Sequence, residues 1–151
     1  MSAPTTTCLA VDDHPAVRQG LALLLAAADD IDLVDAVDSG EAVLDAIERH
    51  SPSVVIVDVR LPGIDGISAV KRIAERAPSV KTVVFSAYGD KRLLSDAIAA
   101  GARGYVMKGS PPEDLIRAIR TVHGGKAFVD PSLSPSLLMT QGVVDAPLSS
   151  R

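Results

Sequence analysis

The chain has 151 residues, of which 15 are Lys or Arg and 19 are Asp or Glu, so its formal net charge is −4. This length suits one ordinary domain followed by a short tail. Hydrophobic residues make up 47% of the chain but include only two Tyr, two Phe and no Trp, which predicts an aliphatic core. The single cysteine, Cys8, excludes an intramolecular disulfide and a cysteine-based zinc site.

The composition and hydropathy also argue against a membrane or secreted protein. The longest strongly apolar run, at 21–28, is far shorter than the roughly 20 residues that a spanning helix needs. The N-terminus has no basic region ahead of an apolar stretch. The acidic balance disfavours direct contact of this segment with phosphate backbones. We therefore expect a cytoplasmic protein that has no membrane contact.

Short apolar segments alternate with segments of helical periodicity along the chain. Strands are predicted at 8–11, 33–37, 54–57, 82–85 and 105–107. The segment at 54–57 and most of the segment at 82–85 are apolar at nearly every position, which is typical of strands buried on both faces. The strands are thus expected in the interior of the sheet.

Five helices are predicted to follow these strands. The first begins at about Pro15, and the third follows Asp65. The second is predicted to begin at Asp38, because Glu41 lies three residues later as in a capping box. These signals place one helix after each of the first three strands.

The last two helices also have recognisable ends. The fourth is predicted between Gly89 and Gly101. In the fifth, Ser110 is predicted to cap the helix, with a proline at the first helical position and Glu113 as the reciprocal partner. Gly124 ends this helix.

The β-α alternation predicts an α/β fold, a parallel five-stranded sheet with helices on both faces. After Asp130 the composition changes to serine and proline, with one short apolar patch at 137–139. We predict a domain over 1–130 and a linker over 131–151.

Polar residues follow the predicted strands at the points where the strands end. Asp12 and Asp13 follow the first strand, Asp58 the third, Ser86 the fourth and Lys108 the fifth. In a flavodoxin-like order, 2-1-3-4-5, the first and third strands flank the point at which strand order reverses, where ligands bind. Three carboxylates are then expected in one cleft, with a hydroxyl and an ammonium at its edge.

Each of these side chains alone has an ordinary structural explanation, because Asp and Ser are common in caps and turns and lysine is usually a solvated surface charge. Together, three ionised carboxylates repel one another and require a cation. Oxygen ligands alone favour Mg²⁺, which typically binds one or two carboxylates, waters and phosphate oxygens. A nearby lysine completes a site for a phosphoryl group.

Three segments resemble, in order, the motifs of the receiver domain of bacterial two-component response regulators. Residues 57–66, VDVRLPGIDG, resemble the phosphoacceptor strand and the loop that follows it. Residues 82–87, TVVFSA, resemble the fourth strand, and residues 104–108, GYVMK, resemble the fifth strand with its lysine. The resemblance covers roughly residues 7–130. It implies a flavodoxin-like (βα)5 receiver fold.

Other segments are similar to the NarL/FixJ subgroup of this family. They are residues 101–105, GARGY, and residues 124–131, GGKAFVDP. Receivers of this subgroup precede a LuxR-type helix-turn-helix domain, and residues 147–151, PLSSR, resemble the opening of that domain. The resemblance therefore implies that residues 131–151 lead to a DNA-binding domain that is absent from this chain.

The resemblance assigns a role to each carboxylate. Asp58 is the implied phosphoacceptor. Asp12 and Asp13, together with Asp58 and the backbone carbonyl of Arg60, are the implied ligands of Mg²⁺.

The resemblance also assigns the residues around the phosphoryl group. Lys108 pairs with the phosphoryl oxygens, the Ser86 hydroxyl bonds to them after phosphorylation, and Tyr105 turns inward when Ser86 moves. Arg60 and Tyr88 lie two residues beyond the phosphoacceptor and two beyond the switch hydroxyl, where family members tune the lifetime of the aspartyl phosphate. Both side chains are large, so we expect slow self-dephosphorylation.

The implied function is acceptance of a phosphoryl group from a sensor histidine kinase, or from a small acyl phosphate, rather than turnover as an enzyme. The expected partners are that kinase, a second copy of the phosphorylated chain bound through the first and fifth helices, and DNA through the absent domain only. A phosphatase of similar topology is an alternative, since haloacid-dehalogenase-like enzymes also form an aspartyl phosphate. Their Asp-x-Asp pattern after the first strand does not fit the DDHP sequence at 12–15.

A flavodoxin is a second alternative of the same topology, but it has a Ser/Thr/Gly-rich phosphate loop after the first strand, where this chain has carboxylates. His14 lies close to the predicted site, and we assign it to the cap before Pro15. Cys8 is expected to be a small buried residue.

Overall fold

The computed structural model describes residues 5–133. Its elements in chain order are β1 (Thr6–Val11), α1 (Pro15–Ala26), β2 (Ile31–Val37), α2 (Gly40–His50), β3 (Val54–Val57), α3 (Gly66–Arg76), β4 (Lys81–Ser86), α4 (Lys91–Ala100), β5 (Gly104–Met107), α5 (Pro112–His123) and β6 (Phe128–Val129). The predicted linker beyond 133, including 137–139 and 147–151, lies outside the described residues.

The sheet is parallel throughout and has the order β2-β1-β3-β4-β5-β6. The predicted order 2-1-3-4-5 is confirmed, and the structure adds a sixth strand at the β5 edge. In this strand Phe128 and Val129 pair with Gly104 and Tyr105. Two half-buried residues are too few to give an alternating pattern, so β6 is not evident from the sequence.

The core consists of two aliphatic layers, one on each face of the sheet. On β3, Val55 and Val57 face the layer formed with α2, α3 and α4, whereas Val54 and Ile56 face the layer formed with α1 and α5. This alternation follows from the period-2 geometry of a strand. Cys8 lies in the second layer without exposure, and burial raises the pKa of its thiol to about 12.

Two of the predicted helix starts differ in the structure. Ser39, not Asp38, caps α2: its backbone is extended, and its Oγ accepts a hydrogen bond from the Ala42 amide at 3.1 Å. Both residue types are good caps, so the local pattern does not separate neighbouring positions. Asp65 and Asp90 cap α3 and α4 in the same way.

The predicted capping box at the start of α5 is wrong. Pro111 occupies the N-cap position, and no side chain caps the helix. The Ser110 hydroxyl instead donates to Oδ2 of Asp130 at 2.7 Å. A tertiary contact that crosses 20 residues therefore replaces the local one. Among residues 5–133, no helix is both long enough and apolar enough to cross a membrane.

Candidate functional site

The carboxyl ends of β1, β3 and β5 bring three charged side chains together. The Lys108 ammonium donates to Oδ2 of Asp12 at 2.7 Å and to Oδ2 of Asp58 at 3.3 Å. Asp12 and Asp58 are almost completely buried, with 2% and 4% of their surface exposed. Two carboxylates therefore share one ammonium at the point where strand order reverses.

The two buried carboxyls differ in their pKa values. Burial, followed by repulsion from Asp12, raises the pKa of Asp58 above its ordinary value. Burial also raises the pKa of Asp12, but hydrogen bonds from Lys108 and His14 outweigh it, so the pKa of Asp12 is lowered. Burial lowers the pKa of Lys108, but the two carboxylates more than offset it and raise that pKa. Asp12 is therefore the ionised partner of Lys108, whereas ionisation of Asp58 is the less favourable of the two.

His14 extends this group of acidic residues. Its Nδ1 lies 3.1 Å from Oδ1 of Asp12 and 3.1 Å from Oδ1 of Asp13. His14 does occupy the N-cap position of α1, but its side chain makes no capping hydrogen bond. The ligand atoms of Asp12, Asp13, His14 and Asp58 all lie within 4.8 Å of one another. Three carboxylates at this spacing fit a hard divalent cation.

Arg18 and Gly66 place the two buried carboxylates. Arg18 Nη1 donates to the backbone carbonyl of Asp12 at 2.7 Å. A Cβ on Gly66 would lie 1.9 Å from the backbone carbonyl oxygen of Asp58, so only glycine allows α3 to approach β3 so closely. The sequence does not reveal Arg18, because a contact from α1 to a strand end leaves no local pattern.

Ser86, Tyr88 and Tyr105 form a second group beside Asp58. The Tyr88 amide donates to Ser86 Oγ at 3.0 Å, and the Tyr105 hydroxyl donates to the Tyr88 carbonyl at 2.5 Å. Ser86 and Tyr105 are buried, and burial raises the pKa of Tyr105 to about 12. The backbone of Tyr88 therefore joins the β4 hydroxyl to the β5 phenol.

Arg60 and Tyr88 stack on each other. The Arg60 amide donates to Oδ1 of Asp58 at 3.3 Å, and the Arg60 guanidinium carbon lies 4.2 Å from the centroid of the Tyr88 ring. This is a short cation–π distance. About half of Tyr88 is exposed. The backbone carbonyl of Arg60 stays a predicted ligand.

Comparison with known proteins agrees with this arrangement. The model of the response regulator receiver domain matches residues 8–120. The oxygen regulatory protein NreC of Staphylococcus carnosus is 36% identical over 128 residues, which cover 84% of this chain and 59% of NreC. The response regulator GacA of Pseudomonas aeruginosa is 34% identical over 131 residues, which cover 87% of this chain and 61% of GacA. The chain thus spans about three fifths of the length of these curated relatives.

Solved structures show the same likeness. A LuxR-family two-component response regulator from Aurantimonas sp. SI85-9A1 aligns with a TM-score of 0.87 at 27% identity, covering 91% of this chain and 98% of that one. The isolated REC domain of RcsB from Salmonella enterica serovar Typhimurium, solved with the phosphomimetic BeF3−, aligns with a TM-score of 0.81 at 27% identity, covering 87% of this chain and 97% of that one. These matches do not favour the alternative of a phosphatase. The chain belongs to the response regulator receiver domain family.

Proposed function

We propose that this domain accepts a phosphoryl group on Asp58 in a Mg²⁺-dependent reaction and thereby switches the output of an attached DNA-binding regulator. The observation that carries the proposal is the Lys108 ammonium, which contacts Asp12 and the buried, charge-crowded Asp58 at one edge of the sheet. Because Asp58 is buried and repelled by Asp12, further positive charge nearby would stabilise its ionised form. A lysine at hydrogen-bond distance can also compensate the charge of an arriving phosphoryl group.

In the proposed step, an ionised Asp58 oxygen attacks the phosphorus of the donor. In a phosphohistidine on a sensor kinase, the P–N bond breaks and its electron pair leaves with the imidazole, which takes up a proton. In a small acyl phosphate, the P–O bond breaks and a carboxylate leaves. The product is an acyl phosphate on Asp58, so the chain is the acceptor in this reaction and not a conventional enzyme.

The residues that would hold the cation are Asp12, Asp13 and Asp58, with the Arg60 backbone carbonyl as a further ligand. Bound Mg²⁺ supplies positive charge that neutralises the transferring phosphoryl group. His14 and Arg18 act on the protein side of this site, because they contact the side chain and the backbone carbonyl of Asp12. They keep the carboxylate aimed at the shared centre.

The proposed switch uses Ser86 and Tyr105. A phosphoryl oxygen beside Ser86 offers its hydroxyl a charged acceptor, and rotation of the side chain towards that oxygen would move Oγ away from the Tyr88 amide, which now donates to it. Any movement of Tyr88 changes the acceptor of the Tyr105 hydroxyl. We therefore place the phosphorylation-dependent surface on α4, β5 and α5.

The further partners are proposed from the family and from the surface. A structure of two RcsB dimers bound to two parallel DNAs describes that protein as a DNA-bound dimer. For this chain we propose a phosphorylation-dependent homodimer through α1 and α5, and DNA binding through a domain beyond residue 151. Leu23 on α1 is 77% exposed, and a cleft of about 230 Å³ between α1 and the start of α5 is lined by apolar side chains that include Val17, Leu21 and Leu24.

The chemistry is tested by intact mass spectrometry after incubation with acetyl phosphate and Mg²⁺. We expect the chain to gain one phosphoryl group, and we expect Asp58→Asn or removal of Mg²⁺ with EDTA to abolish the gain. Asp65→Asn is the matched control, because Asn also caps helices well and Asp65 lies in the same loop. Equal labelling of Asp58→Asn would disprove the assignment of the acceptor.

The ligand set is tested separately by titration with Mg²⁺. We expect Asp13→Ala to weaken Mg²⁺ binding, because this variant removes one of the three carboxylates. An unchanged affinity would remove Asp13 from the ligand set.

A further inference from the structure

A buried carboxylate apart from Asp12 and Asp58 lies at the opposite edge of the sheet from β2, just after β6. Asp130 is 1% exposed and accepts four hydrogen bonds from other described residues. Its Oδ2 accepts from the Met107 amide at 2.8 Å and from the Ser110 hydroxyl at 2.7 Å. Its Oδ1 accepts from the amide and the hydroxyl of Ser132, at 2.9 Å and 2.7 Å. We call Met107, Ser110, Asp130 and Ser132 the Asp130 cluster.

The two hydrogen bonds to Oδ2 of Asp130 come from residues on either side of Lys108. Met107 precedes Lys108 directly, and Ser110 follows it by two residues, so one carboxylate oxygen fixes the chain on both sides of the lysine. The Lys108 amide adds a third anchor, because it donates to the Ser86 carbonyl at 2.7 Å. The ammonium that reaches Asp12 and Asp58 therefore starts from a backbone held at three points.

The Oδ1 bonds and the residues next to them connect this loop to the chain beyond β6. The Leu133 amide donates to the Asp130 carbonyl at 2.8 Å. A Cβ on Gly89 would lie 2.2 Å from the Met107 sulfur and 3.3 Å from Cδ1 of Leu133, so both side chains lie against Gly89. Gly89 follows Tyr88, whose carbonyl accepts from Tyr105. The turn at 131–133 thus contacts both loops of the proposed switch.

We propose that Asp130 is a positioning residue for Lys108, and that it couples the state of the phosphoacceptor site to the turn at 131–133. The carboxylate fixes the loop from which the ammonium reaches Asp58, and the same carboxylate holds Ser132. This inference rests on the proposed function, since it assumes that Asp58 receives the phosphoryl group. Because coupling is reciprocal, a group bound at Asp58 and the hydrogen bonds of Asp130 must influence each other by the same factor.

A purely structural role makes a different prediction. If Asp130 only closes the turn after β6, its loss lowers the free energy of unfolding but leaves ligand binding at Asp58 unchanged in the folded chain. The two roles are separated by measuring binding at a temperature well below the melting transition. Beryllofluoride with Mg²⁺ is a suitable probe, because it is the phosphoryl mimic used with the related REC domain of RcsB.

The test uses the full 151-residue chain and fluorine NMR titration with beryllofluoride at saturating Mg²⁺. Asp130→Asn keeps the shape of the side chain but turns one acceptor oxygen into an amide, so one pair of the four donors loses its partner. We expect its Kd to rise about tenfold, the change that accompanies loss of a hydrogen bond to a charged group near the binding residue. Asp114→Asn is the matched control, because Asp114 is a buried carboxylate on the neighbouring α5.

A second variant guards against loss of folding in Asp130→Asn. Ser110→Ala removes only the side-chain bond on the Lys108 side, and we expect its Kd to rise about threefold. Ser110→Thr retains the hydroxyl and is expected to restore binding to within about twofold of the parent chain. Failure of Ser110→Ala to weaken binding, with the parent chain binding normally, would overturn the inference.

A double-mutant cycle with Lys108→Ala shows whether Asp130 acts through the lysine. We expect Asp130→Asn to change the Kd by less than about twofold when Lys108 is already absent, because the two effects are then not additive. An equal loss in both backgrounds would overturn the positioning role. Absence of binding and of labelling in the parent chain would overturn the proposed function and this inference together, whereas normal binding by Asp130→Asn would overturn this inference alone.

Discussion

Asp58 and Asp130 are both buried carboxylates that follow a strand of the same parallel sheet, yet their pKa values are shifted in opposite directions. Burial raises the pKa of Asp58, and the negative charge of Asp12 raises it further. Burial also acts to raise the pKa of Asp130, but hydrogen bonds from Met107, Ser110 and Ser132 outweigh it, so this pKa is lowered. Burial alone therefore does not decide whether the pKa of a carboxyl group is raised or lowered.

The difference lies in what surrounds each charge. Each hydrogen bond that Asp130 accepts from the described residues comes from an amide or a hydroxyl, so its negative charge stabilises the fold. Asp58 shares one ammonium with Asp12, at the longer of the two distances. The carboxylate of Asp130 uses its oxygens for hydrogen bonds within the folded chain. The carboxylate of Asp58 has fewer such bonds, which leaves an oxygen available for a phosphoryl group.

The largest change in stability is expected from a substitution at Asp130. Asp130→Ala leaves four donors of Met107, Ser110 and Ser132 without their acceptor around a buried position, and we expect it to lower the free energy of unfolding by about 3 kcal/mol. Urea denaturation followed by circular dichroism measures this change. Asp90→Ala, which removes an exposed helix cap, provides the scale for a local loss and is expected to cost about 1 kcal/mol. A smaller loss for Asp130→Ala than for Asp90→Ala would contradict this view of Asp130.

A substitution at Asp58 is expected to change the free energy of unfolding in the opposite direction. Asp58→Asn removes a buried charge that is repelled by Asp12, while an Asn oxygen can still accept from the Arg60 amide. We expect the variant to raise the free energy of unfolding by about 1 kcal/mol in the absence of Mg²⁺, as is common when a strained functional group is replaced. The same denaturation measurement applies, with Asp65→Asn as the neutral control. A decrease in stability would show that the contact between Lys108 and Asp58 outweighs the repulsion.

These opposite shifts also predict opposite pH dependences. The pKa of Asp130 is lower in the folded chain than in the unfolded chain, so its contribution to stability is present above the ordinary carboxyl pKa and is lost as pH falls through the folded value. The pKa of Asp58 is higher in the folded chain, so protonation favours the folded state and its penalty disappears as pH falls.

Denaturation from about pH 6 to about pH 3 tests both signs at once. The stability deficit of Asp130→Asn relative to the parent chain should shrink towards acid pH, because the parent loses the benefit that the variant lacks. The stability advantage of Asp58→Asn should also shrink, because the parent loses its penalty. Differences that stay constant over this range would mean that neither carboxyl titrates differently in the folded chain.

Much of this arrangement could be predicted from the sequence, because the carboxyl ends of parallel strands share one edge of the sheet. Strand-end positions were enough to predict that Asp12, Asp58 and Lys108 lie together. The same reasoning could not find Asp130, which follows a strand of only two residues. Ser110 was misassigned for a related reason, since its capping pattern is a local signal and its actual partner is distant in sequence.

The remaining differences also arise from contacts between distant segments. His14 could have been included in the acidic group, because it adjoins Asp12 and Asp13 in sequence. Arg18 gave no signal, because its hydrogen bond to the Asp12 carbonyl depends on how α1 packs against the sheet. The stacking of Arg60 on Tyr88 joins two loops and was equally invisible, although each residue was predicted separately to affect the phosphoryl lifetime.

The smallest effect is expected for that stacked pair. Hydrolysis of an aspartyl phosphate requires a water in line with the phosphorus, and Arg60 and Tyr88 lie on the loops that follow Asp58 and Ser86. Neither a guanidinium nor a phenol is a good general base at neutral pH. Since the guanidinium carbon lies 4.2 Å from the ring centroid, each side chain limits the movement of the other on these loops. Removal of either side chain is expected to admit water to the phosphoryl group. We therefore expect Arg60→Ala and Tyr88→Ala each to speed the decay of phospho-Asp58 about threefold. This change is equivalent to about 0.65 kcal/mol in the barrier to hydrolysis. Tyr88→Phe retains the ring and should decay at the parent rate, which separates stacking from the hydroxyl. The measurement is single-turnover decay after removal of acetyl phosphate, followed by intact mass, and decay at the parent rate in both alanine variants would show that the pair does not shield the phosphoryl group.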